Sequence, residues 1–206
     1  MGRVRRLSEE VIQKIAAGEV VDRPASVLKE LVENSLDAGA TQIRVELERG
    51  GIARLRVSDN GCGMTPEDME LAVERHTTSK ISTEEDLRHI RTLGFRGEAL
   101  AAICAVAKVR LVSRTPETPE GYELLIEGGR IVEGKPAPHP PGTTVEVRDL
   151  FFNVPARRKF LSTPAAEARR SLELLRHLAL AHFDRGFLVF SEGRKVLEVP
   201  PVQAPL

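Results

Sequence analysis

Glu30, Asn34 and Asp37 stand four and three residues apart in the run PASVLKELVENSLD. A helix turning 100° per residue sets them on one polar stripe, with Glu33 beside it and Leu28 and Val32 opposite. Taken alone, such a stripe is the ordinary solvated face of an amphipathic helix, so chemistry there requires a second site nearby. Asp59-Asn60-Gly61-Cys62-Gly63-Met64 offers one, because it places a carboxylate at the end of an alternating strand with glycines behind it. The aspartate could accept a hydrogen bond from the exocyclic amine of an adenine, while Gly61 and Gly63 let backbone approach the base. The same hexapeptide also reads as an ordinary Asn-Gly turn. A third segment, Gly94-Phe95-Arg96-Gly97-Glu98-Ala99-Leu100, leads into a helix whose first N–H groups can hold phosphate oxygens or simply be capped.

Two better-known phosphate loops fail on inspection. Gly61-Cys62-Gly63 lacks the third glycine of a dinucleotide fingerprint and runs into Thr65-Pro66. Gly129 to Lys135 has P-loop spacing, but Pro136 stands where a magnesium-binding hydroxyl is needed and no helix can follow.

These residues need a scaffold, and the sequence marks its parts. Ser8 can cap a first helix that ends near Gly18, and Pro24 suits the first turn of a second that Gly39 stops. Ile43, Val45 and Leu47 alternate with charges, as do Ala53, Leu55 and Val57, which predicts a hairpin with one wet face. Further helices are expected from Thr65-Pro66 to about Arg75, Ser82 to about Arg91, Glu98 to about Val106 and Pro164 to His182. Strands are expected at Val109 to Ser113, Tyr122 to Glu127, Thr144 to Arg148 and Phe187 to Ser191. Lys135 to Pro141 reads as a surface loop. The fold class is therefore α+β, a two-layer sandwich of a mixed, mostly antiparallel sheet with helices on one face. One domain is expected over residues 1–200, with an arm at 1–18 and a segment at 77–96 that only the resemblance to a known family makes a lid; residues 201–206 read as the start of a linker to a downstream domain.

Thirty basic and thirty acidic side chains cancel among the 206 residues, which removes the bulk attraction of a free-standing nucleic-acid binder. Only local patches such as Arg157-Arg158-Lys159 and Arg169-Arg170 offer phosphate contacts, and solvated turns and helix faces commonly look the same. Cys62 and Cys104 form no disulfide scaffold or metal pattern, and the five histidines show no metal spacing. No apolar run reaches membrane-spanning length, so a soluble, cytoplasmic protein is expected.

Ile15 to Val21, Lys29 to Ser35, Asp59 to Met64 and Gly94 to Leu100 together resemble the MutL family of DNA mismatch repair proteins. The likeness continues through Asp149 to Leu161, and Gly-Phe-Arg-Gly-Glu-Ala-Leu is particular to that family. The wider group, the GHKL ATPases, includes type II topoisomerases, heat-shock chaperones and sensor histidine kinases. The resemblance implies ATP and Mg2+ as cofactors, Glu30 as the base acting on water and Asn34 as the magnesium ligand. It implies Asp59, Gly63 and Thr143 around adenine, and Thr78, Ser79 and Lys80 with Gly94, Phe95, Arg96, Gly97, Glu98, Ala99 and Leu100 as a lid over the phosphates. It further implies slow hydrolysis coupled to N-terminal homodimerisation, and recruitment of a mismatch-recognition protein and a repair nuclease or helicase. DNA would be contacted through the full-length protein, and no membrane is involved. The alternatives are another ATPase of the superfamily, such as a topoisomerase or sensor kinase, or a nucleotide-independent DNA-binding scaffold.

Overall fold

The computed structural model of the chain describes residues 9–74 and 98–202. Within them, alternation decides which face of the sheet is covered. Ile43, Val45 and Leu47 of β1 (Gln42–Glu48) and Leu55 and Val57 of β2 (Arg54–Asp59) are all buried on one face, while Arg44, Glu46, Arg54 and Arg56 take the other. The two strands pair antiparallel with Val45 opposite Val57. The remaining strands are β3 (Lys108–Arg114), β4 (Gly121–Glu127), β5 (Arg130–Ala137), β6 (Gly142–Arg148), β7 (Gly186–Ser191) and β8 (Arg194–Val199). They form one sheet in the order β5-β4-β3-β6-β2-β1-β7-β8. Every neighbouring pair is antiparallel except β1 with β7, so the sheet is mixed and mostly antiparallel as expected.

The helices are α1 (Glu9–Val20), α2 (Pro24–Asp37), α3 (Pro66–Val73), α4 (Ala99–Val106), α5 (Pro155–Arg158) and α6 (Pro164–Ala181). In α2 the stripe Val27, Leu28, Leu31, Val32 is buried, three of these completely. Each such side chain contributes about 1.5–3 kcal/mol, which holds a 14-residue helix that propensity alone would leave marginal. Prolines open α2, α3 and α6 in the first turn, and the Thr65 and Thr163 hydroxyls cap α3 and α6 by accepting from Asp68 and Ala166. Leu28, Ile43, Leu55, Met69, Ile103, Leu111, Phe151 and Phe187 fill the space between the helices and the sheet.

The opposite face of the sheet carries a lattice of charges. Arg54 lies within 3.3 Å of Glu46 and Glu146 and 2.7 Å of Glu48, and Arg148 lies 2.7 Å from Glu146. Burial pushes the Glu146 carboxyl up, but Arg148 and Arg54 outweigh it and hold the group below the usual carboxylate range.

The expected elements appear with shifted ends, α1 running on past Gly18 to Val20. Four were not anticipated: β5, β8, the single turn α5 and a 3-10 turn at Arg49–Gly51. Lys135 to Ala137 thus belongs to an edge strand paired with β4 rather than to a loop, and only Pro138 to Pro141 connect it to β6. The helix expected at Ser82 to Arg91 and the cap at Ser8 lie outside the described residues.

Candidate functional site

Asp59 ends β2, and the sheet brings α2 and β6 to either side of it. One carboxylate oxygen, Oδ2, accepts from the Ser35 hydroxyl at 2.7 Å. The other, Oδ1, accepts from the Gly61 N–H at 2.9 Å and the Thr143 N–H at 3.3 Å. A carboxylate has about four lone-pair positions, so Oδ1 is filled while Oδ2 keeps one for a further donor. The side chain is thereby fixed in direction and still able to accept.

The turn after Asp59 is anchored on every side. Cys62 donates its N–H to the Ala38 carbonyl at 3.0 Å, which binds the turn to the end of α2. Asn60 accepts from the Thr41 and Gln42 N–H groups, both at 2.9 Å. Met64 donates its N–H to the Ser113 hydroxyl at 2.8 Å, and Ser113 donates to the Gly142 carbonyl at 3.0 Å. Gly63 has a φ of 70°, and a β-carbon there would collide with the Arg114 carbonyl. Gly142 has a φ of 126°, and its β-carbon would collide with the backbone of Asp59. Both glycines are required by the packing of backbone on backbone.

Glu30, Asn34 and Asp37 lie half-buried along α2, on the side away from Leu28 and Val32. Glu98, Ala99 and Leu100, at the start of α4, are also half-buried, and α4 packs against α1, α2 and α3. Thr78, Ser79, Lys80, Gly94, Phe95, Arg96 and Gly97 lie outside the described residues. Of the expected site residues, Asp59 and Thr143 therefore share a hydrogen-bonded cluster with Ser35 of α2, the helix that carries Glu30 and Asn34, while Gly63 lies on the turn that follows Asp59.

Sequence reasoning assigned no role to Ser35 or Ser113. Both are at most 3% exposed. Ser35 was detectable as the one polar residue on the buried stripe of α2, but Ser113 is the next-to-last residue of β3, in a position where nothing local distinguishes it. The basic patches resolve differently. Arg157 and Arg170 are engaged within the molecule, by the Val21 carbonyl and by Glu167 with Ser162, whereas Arg158, Lys159 and Arg169 are exposed. Cys104 is buried with its thiol pushed up to about 12 by desolvation, so it is not a nucleophile; Cys62 is exposed on the turn.

Residues 22–142 match the family described as histidine kinase-, DNA gyrase B- and HSP90-like ATPase. Over 191 residues, 93% of the chain, the sequence is 56% identical to the DNA mismatch repair protein MutL of Xanthomonas campestris pv. campestris (strain B100), covering 31% of that protein. The MutL of Acidobacterium capsulatum is 50% identical over 205 residues, again 31% of its length. The chain thus spans about a third of the curated relatives it matches. Among solved structures, the Aquifex aeolicus MutL ATPase domain complexed with ADP superposes with a TM-score of 0.75 at 41% identity, covering 89% of this chain and 66% of that one.

Proposed function

The chain belongs to the histidine kinase-, DNA gyrase B- and HSP90-like ATPase family, on its MutL branch, and from that premise we propose that it binds ATP with magnesium and hydrolyses it slowly. The observation that carries this reading is the Asp59 carboxylate, held by three donors with one lone pair of Oδ2 left over. The adenine amine is the donor that completes it. Gly63 and Thr143 shape the same end of the pocket.

At the phosphate end, Glu30 orients water and takes its proton, and the start of α4 presents N–H groups to the phosphates. Asn34, with carboxylates one turn away on either side, is a hard oxygen donor of the kind magnesium takes. Among the described residues no three or more His, Cys, Asp or Glu gather into a cluster. Magnesium held there by Asn34 would supply charge neutralisation on the transferred phosphoryl group. Thr78, Ser79 and Lys80, with Gly94, Phe95, Arg96, Gly97, Glu98, Ala99 and Leu100, form the lid in this reading. In the whole protein, ATP state would govern homodimerisation, recruitment of a mismatch-recognition protein and a nuclease or helicase, and work on DNA in the cytoplasm. No described helix is long and apolar enough to cross a membrane.

The test pairs calorimetry with phosphate release. Glu30→Ala is expected to keep its affinity for a non-hydrolysable ATP analogue with magnesium while turnover falls about 10²–10⁴-fold, the span of a general base. Loss of binding together with turnover would make Glu30 a structural residue, and wild-type protein that ignores the analogue would end the ATPase reading.

A further inference from the structure

One short segment after β6 reaches the C-terminal ends of two helices. Phe151 donates its N–H to the Val106 carbonyl at 2.8 Å, and the Asn153 carboxamide donates to the Ala105 carbonyl at 2.9 Å, so the last carbonyls of α4 are capped from outside the helix. Six residues after Phe151, Arg157 donates from Nη1 to the Val21 carbonyl at 3.3 Å, immediately beyond α1. A cation there also complements the negative end of the helix dipole. The guanidinium lies over Gly18 so closely that a β-carbon on that residue would occupy the same space. The plane of the side chain therefore rests on bare helix backbone.

α1 needs such an attachment. Among the described side chains of this stretch, Ala17 in the last turn and Val21 just beyond it are buried, whereas Ile12 and Ile15 are 43% and 53% exposed. α1 packs against α4, and the chain continues from its end through Val21, Asp22 and Arg23 into α2, the helix that carries Glu30 and Asn34. By contrast α2 is fixed by its own fully buried stripe and α4 by Ile103, Cys104 and Val106.

We infer that Arg157 is a positioning residue: it clamps the end of α1 onto the segment that caps α4, and so sets the phosphate end of the site without touching nucleotide. The kinetic part of this inference rests on the ATPase reading above. The adenine end is independent of it, because Ser35, Gly61 and Thr143 make no contact with Arg157 in forming the Asp59 cluster.

The experiment uses the full-length protein and three readouts: hydrogen exchange, affinity for an ATP analogue, and phosphate release. Arg157→Ala should speed exchange across residues 15–21 and leave the sheet unchanged. It should keep analogue affinity but lower turnover about 10–100-fold, as misplacement by an ångström does. Gly18→Ala should reproduce both effects by evicting the guanidinium, and the double variant should be no worse than either single one. Arg157→Lys, which retains a donor but not the flat fork, should fall between. Arg158→Ala, the exposed neighbour, should be silent. Unchanged exchange in Arg157→Ala, multiplying losses in the double variant, or an equal effect from Arg158→Ala would each overturn the clamp. Exchange reads the clamp whether or not ATP is turned over, so failure of the ATPase reading would show separately, as wild-type protein that binds no analogue.

Discussion

At the scale of single residues, Asp59 is surrounded by donors: the Ser35 hydroxyl and the N–H groups of Gly61 and Thr143. Replacing it with asparagine changes one of its two oxygens into an amine that must then face at least one of those donors or the adenine amine itself. Asp59→Asn is therefore expected to weaken ATP binding by about 1–3 kcal/mol, and to narrow the preference over GTP, in a calorimetric titration with both nucleotides. Equal affinities in wild type and variant would remove Asp59 from the base site. Asp59 could be picked out in the sequence as a carboxylate at a strand end beside two glycines, a pattern that an ordinary Asn-Gly turn shows as well. Arg157 was legible only as one of three adjacent cations; what separates it from Arg158 is Gly18, far away along the chain, and no local pattern records that contact.

Elements carry the positions of these residues, and the turn from Asn60 to Met64 is the most constrained of them. A methyl group on Gly63 meets the Arg114 carbonyl at a φ of 70°, so either the turn or the end of β3 must move. Gly63→Ala is expected to lower both the melting temperature and ATP affinity, whereas Cys62→Ala, exposed on the same turn, should change neither; scanning fluorimetry and calorimetry check the pair. A silent Gly63→Ala would show that the turn has room to spare. α2, β1 and β2 were readable because each buries one side, which imposes a period of 3.6 or 2 on its apolar residues. β5 and β8 lie at the two edges of the sheet; β5 is exposed up to Ala137 and β8 half-buries only Leu197 and Val199, so little or no such period is imposed on them. Charges and a proline are what an edge strand tolerates, and in Arg130 to Ala137 they disguised the strand as a loop.

For the whole molecule, the charge pattern sets how stability answers to acid. Burial, the largest influence, holds the His139 imidazole below its ordinary 6.5, with its ring bonded to the Pro140 carbonyl and the Thr144 hydroxyl. Asp22, Glu46 and Glu146 are held below their ordinary values by arginines, and for Asp22 also by Ser26, against the opposing effect of burial. A group with a lowered folded pKa binds fewer protons than in the unfolded chain, so its contribution is complete above the unfolded value and lost as pH falls through the folded one. Urea melts should therefore lose stability in two stages, first below about 6.5 and then below about 4.5. His139→Gln should flatten the first stage and spare the second; an unchanged first stage would assign it to another group. The single parallel pairing in the sheet has a consequence of a different kind. Ile43 lies beside Phe187, so one side of β1 waits for a partner encoded almost at the far end of the described chain. A ribosome adding about 5–20 residues per second leaves that side open for on the order of ten seconds. Throughout that interval a nascent chain carries an unpaired strand edge, which is the form in which chaperones find their clients and crowded ribosomes make aggregates.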